Sequence, residues 1–124
     1  MERNVPILQH LIRTYKLWHE FLPHIAKSYR NSVCVKIDVF FVDVLELIFI
    51  ASYLPKTEKL PYISKSITKL DLLKFFLQTL WEIKAIDSKK YSLIFEPINK
   101  AGGMLGGWKN QLLKQTPRNN IGEK

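Results

Sequence analysis

The stretch IFEPINKAGGMLGGWKNQL, Ile94 to Leu112, contains four of the five glycines in the chain. Whether it is a loop or a helix decides the fold. A phosphate-cradling loop needs its glycines between a strand and a helix, in Gly-x-Gly-x-x-Gly spacing or ahead of Lys-Ser/Thr. Here the spacing is Gly-Gly-x-x-Gly-Gly, no Lys-Ser/Thr follows, and no strand-like run precedes it. Ile94, Ile98, Ala101, Leu105, Trp108 and Leu112 instead keep alternating steps of four and three, a heptad seam that runs straight through the glycines. The stretch is therefore expected to be a helix. Gly102 and Gly106 share one face of it, and Gly103 and Gly107 share another, so a neighbouring helix is expected to approach the backbone at Gly102 and Gly106. Each helical glycine costs roughly 1 kcal/mol relative to alanine, which close packing must offset. Pro97 is expected to kink this helix or break one turn.

The helical pattern extends upstream. Asp87 or Ser88 is positioned to cap the start of the fourth helix. A third helix, about Glu58 to Ile86, follows the polar break PKTEK. It is wet only along Ser64, Asp71, Lys74, Gln78 and Glu82, a thin arc that points to contacts between subunits. Val33 to Val39 alternate as a strand would, but the apolar run continues to Leu54, too long for an ordinary strand. A mostly buried helix capped by Asn31 or Ser32 is expected there, with Asp38 near its positive end. The first helix follows Asn4 and ends near Pro23, its apolar stripe formed by Ile7, Leu11, Tyr15, Trp18 and Leu22. The fold expected is all-α, an up-and-down four-helix bundle over residues 1–113 with a flexible polar tail over 114–124.

At 124 residues the chain is one domain, and 47% apolar content is enough for a core. The single cysteine, Cys34, lies in an apolar run and is expected to be a buried thiol, which fits a reducing cytoplasm. The longest apolar stretch, Val39–Leu54, is too short to span a bilayer and contains Asp43 and Glu46, so no membrane is expected. Net charge is +8. Residues 31–55 are nonetheless acidic, with Lys36 against Asp38, Asp43 and Glu46, and the basic residues are spread over the rest of the chain. Such dispersal gives a broad positive surface that contacts phosphates without reading bases. Arg13, Lys16, Lys65, Lys69, Lys74 and Lys84 are the residues expected to contact nucleic acid.

His10 and His19 point in nearly opposite directions on the first helix and cannot share a metal. Arg13 and His19 fit the loose Arg-x5-His pattern of some helical nucleases, a pattern short enough to occur often by chance. No tuned acid–base pair or metal cluster stands out, so no catalytic residue, metal or cofactor is expected.

The end of the fourth helix resembles a family of small helical-bundle proteins whose best-known members are the accessory variability determinants of diversity-generating retroelements. Gly102, Met104, Leu105, Gly106 and Trp108 carry that resemblance. SKKYSLI (Ser88–Ile94) and LLKFFLQTLWEIKAI (Leu72–Ile86) resemble the start of the family's fourth helix and its third helix. The resemblance implies a homopentameric ring with a basic surface that binds a reverse transcriptase and template RNA or cDNA. Such a protein supports mutagenic retrohoming without catalysing it. Two alternatives are a related bundle encoded within ribosomal-RNA intervening sequences and a purely structural helical oligomer.

Overall fold

The computed structural model describes residues 5–115, and among them there is no β-strand. Four long helices are α1 (Val5–Phe21), α3 (Val33–Tyr53), α4 (Lys56–Glu82) and α5 (Ser88–Lys114), with a single-turn α2 (Lys27–Arg30) between the first two. The cap expected at Asn4 and residues 116–124 of the tail expected over 114–124 lie outside the described residues. The fourth helix itself extends one residue past its expected end, to Lys114.

Side-chain contacts fix the helix directions. Tyr15 and Trp18 of α1 meet Phe41 of α3, and His19 meets Asp38. Between α3 and α4, Phe40 stacks on Phe76 while Asp43 pairs with Lys69 and the Ala51 carbonyl with Lys59. Between α4 and α5, Trp81 meets Tyr91, Lys74 meets Asn99, and Lys59 lies over the Trp108 ring. In each pair the later residue of one helix meets the earlier residue of the next, so consecutive helices are antiparallel. The fourth helix then packs on the first, with the His10 ring Nε2–H donating to the Pro97 carbonyl at 2.7 Å. The result is an up-and-down four-helix bundle in which α1 and α4 occupy diagonal corners.

One stripe from each helix fills the core. On α3 the buried set Cys34, Ile37, Phe41, Val44, Ile48 and Ala51 keeps steps of three and four. Trp18 and Phe41 are fully buried with their rings stacked 6.3 Å apart. The Trp18 indole N–H finds no hydrogen-bond partner among the described residues. Thr14 resolves its own burial by donating to the His10 carbonyl one turn back. Cys34 is buried, as expected, and burial raises its thiol to about 11.

Several expectations need correction. The second long helix is not mostly buried, because α1 and α4 cover only one of its sides. Val35, Val39, Val42, Phe49 and Tyr53 form a second apolar stripe on α3 and are all exposed. Ser32 stands at the start of that helix but does not cap it, since its hydroxyl donates to Ser28 and Tyr29 carbonyls instead. Asp87 does cap α5, its Oδ1 accepting the Lys90 N–H at 2.8 Å. The helix continues through Pro97 without a break. Finally, α4 ends at Glu82 rather than Ile86. Lys84 N–H donates to the Trp81 carbonyl and Ala85 N–H to the Leu80 carbonyl, a Schellman turn with Lys84 in the left-handed region at φ 65°.

Candidate nucleic-acid interface

The six cations expected to contact a polyanion divide between the two diagonal helices. Arg13 and Lys16 are exposed on α1. Lys65, Lys69, Lys74 and Lys84 lie along or just beyond α4. The fold therefore does not gather them into one patch.

Their surroundings also differ. The Lys69 ammonium is 3.2 Å from Asp43 Oδ2 and lies over the Phe40 ring. Both members of that pair are partly solvated, which limits its strength to about 0–1 kcal/mol but still offsets the charge. Lys65 is exposed and borders the same shallow depression as Asp43 and Glu46, so a strand there meets mixed charge. Lys74 is half-buried, donates to Asn99 Oδ1 at 3.2 Å, and lies 4.0 Å from Asp71. Among the described residues no carboxylate pairs with Arg13, Lys16 or Lys84. These three are the cations most available to phosphate. On α5, Lys89 and Lys100 are exposed and add to the positive surface.

Lys84 holds the least ordinary position. An L-residue in the left-handed region costs roughly 1–2 kcal/mol, which glycine avoids. The lysine projects at one end of the bundle, where an open depression of about 720 Å³ lies between the turn after α1, the end of α4 and the start of α5.

Sequence reasoning missed two features here. The first is a ladder of rings, Trp81, Tyr91 and Phe95, with centroid separations of 4.9 and 5.4 Å. Its only trace in the sequence is the i, i+4 spacing of Tyr91 and Phe95; the partner Trp81 is brought in by the α4–α5 turn. The second is Lys59, a buried lysine whose ammonium donates to the Ala51 carbonyl at the C-terminal end of α3. That position suits a cation because the helix dipole is negative there.

The histidines do not converge. His10 is held by Pro97, and His19 Nε2 lies 3.0 Å from Asp38 Oδ1. Tyr15 donates to the other oxygen of Asp38 at 3.1 Å. Its phenol is raised from the ordinary value, by burial first and then by that carboxylate. No cluster of three or more His, Cys, Asp or Glu that could hold a metal occurs among the described residues. Among those residues no helix is long and apolar enough to cross a membrane.

The resemblance residues are placed as follows. Leu105 is fully buried, and Met104 and Trp108 pack against the core from half-buried positions. A Cβ on Gly102 would lie 3.3 Å from Lys74 Nζ and 3.6 Å from Leu70 Cδ2, so α4 does approach closely at that glycine. Gly106 has nothing within 4 Å of its would-be Cβ, and neither do Gly103 and Gly107. Close approach within the bundle is thus confined to Gly102, because α4 side chains reach the glycine face only there. No protein-family model, curated protein or solved structure matches this chain.

Proposed function

We propose that this chain is a non-catalytic accessory protein of a diversity-generating retroelement. It binds the reverse transcriptase and its template RNA or cDNA through a basic surface and so supports mutagenic retrohoming. The observation that carries the reading is the glycine-tryptophan ending, Gly102 to Trp108, on the last helix of an up-and-down bundle. That is the context the resemblance calls for. Available cations on α1 and beyond α4, in a chain of net charge +8, favour a polyanionic partner. The exposed α3 stripe favours assembly into a homo-oligomer, with the five-fold ring taken from the resemblance alone. A free, buried Cys34 fits a cytoplasmic protein.

The polymerase chemistry belongs to the partner in this reading. The test looks first for a reverse transcriptase gene beside this one, and then measures cDNA synthesis by that enzyme on its own template RNA, with and without this chain. Synthesis with errors at adenines that depends on the chain is expected. Unchanged yield and unchanged errors would reject the reading.

A further inference from the structure

The depression beside Lys84 has features that broad phosphate binding does not require. The indole of Trp81 forms part of its wall. That ring is fixed twice: Tyr91 stacks on one face with planes 9° apart, and Nε1 donates to Ser88 Oγ at 3.1 Å. Tyr91 and Phe95 border a separate depression, so the ring ladder is a partition and Trp81 is its terminal ring on the Lys84 side. A flat group that entered there would continue an existing stack and would not have to order it.

The charges around the ring are arranged unevenly. Lys84 and His24 are exposed on the rim, and neither pairs with a carboxylate among the described residues. The two acids of the wall are both held in place, although only Asp87 has a cation beside it among the described residues. Glu82 accepts from Gln78 at 3.1 Å, and Asp87 caps α5 with one oxygen while the other lies 3.8 Å from Lys90 Nζ. A strained lysine stands where glycine would be unstrained, and it lines the same depression as the Trp81 ring. At about 720 Å³ the space suits a ligand of nucleotide size.

We propose that this corner seats an unpaired nucleobase stacked on Trp81, with its adjoining phosphate held by Lys84 and His24. The inference rests on the nucleic-acid reading above and sharpens it, since a base inside a duplex has both faces covered and cannot enter. The ligand is a single strand, or a single-stranded bulge or end, and not a duplex.

The experiment titrates the full chain with a single-stranded 12-mer RNA, a duplex of equal charge, and adenosine monophosphate, at two salt concentrations. Three variants accompany it: Trp81→Leu, Trp81→Phe and Lys84→Gly. Trp81→Leu is expected to weaken single-strand binding about tenfold, in line with loss of one stacked base, while duplex affinity and the salt slope stay as in the parent. Trp81→Phe restores most of the loss. Lys84→Gly relieves backbone strain, so it stays folded, and it is expected to lower the salt slope by roughly 0.7, one single-strand phosphate contact. If Trp81→Leu fails to fold, Lys84→Gly carries the test: the salt slope is expected to fall on the single strand and not on the duplex, and an equal fall on both overturns the seat.

Single-strand binding that is salt-sensitive but unchanged in Trp81→Leu and Lys84→Gly would overturn the seat and leave the broader reading standing. Equal loss for duplex and single strand would also overturn it. Adenosine monophosphate bound as tightly as the 12-mer would reassign the site to a free nucleotide and overturn the strand. A parent chain that binds no RNA overturns both the seat and the reading beneath it.

Discussion

Gly102 of α5 lies directly against Lys74 of α4, where an added Cβ would stand 3.3 Å from the ammonium nitrogen. The neighbour is the far end of a flexible side chain, so alanine at this position displaces Lys74 and disturbs its contact with Asn99 more than it strains the helix. Gly103 and Gly107 have no such neighbour. Alanine at either one is expected to stabilise the isolated bundle by about 0.5–1 kcal/mol, the propensity gain of a mid-helix glycine replacement. Chemical denaturation of the three single variants checks this. Gly102→Ala is expected to gain less than the other two.

The α3 stripe leads to a second prediction. Val35, Val39, Val42, Phe49 and Tyr53 run along the helix in steps of four and three, with Glu46 filling the one step between Val42 and Phe49. Phe49 and Tyr53 are packed edge to face with ring centroids 5.5 Å apart, and both remain exposed. A heptad seam open to water is what helix–helix association buries. Replacing Val42 and Phe49 together by glutamate is expected to leave helical content and unfolding midpoint nearly unchanged while converting the assembly to monomer. Light scattering at micromolar concentration reads the difference, and a parent chain that is already a clean monomer would refute the assembly.

Cys34 supplies the pH prediction. Burial raises its thiol from 9.0 to about 11 in the folded chain. Below pH 9 the thiol is protonated in both the folded and unfolded states and contributes no pH dependence. Between pH 9 and about 11 the unfolded chain releases the proton while the folded chain retains it, so stability falls as pH rises, by up to about 1.4 kcal/mol per unit. Correspondingly, a thiol reagent at pH 8 is expected to leave the native protein unlabelled and to label it promptly in denaturant.

The helices were legible because each carries its own apolar period, even where Val33 to Val39 imitated a strand. What the sequence could not show was register. Lys69 looks like any surface lysine until α3 brings Asp43 to 3.2 Å, and Lys59 looks solvated until the end of α3 closes over it. The end of α4 was misplaced because its Schellman turn uses Lys84 where a glycine would have marked it. The open side of α3 was missed for a related reason. Composition says that a helix is apolar all round, but only the arrangement of neighbours says how many of its sides are covered. The cations were recognisable one by one, whereas their split between diagonal helices and the ring ladder beside Lys84 depend on tertiary placement.

Polyanion binding itself is tested most directly by the salt dependence of RNA affinity in the parent chain and in charge variants. With three or more phosphates contacted, a log–log slope of about −2 or steeper on single-stranded RNA is expected, at roughly −0.7 per contact. Arg13→Ala and Lys16→Ala should each reduce that slope by roughly 0.7, and Lys69→Ala should change it least because Asp43 already holds its charge. A slope near zero, or no measurable RNA binding at low salt, would contradict the proposed function.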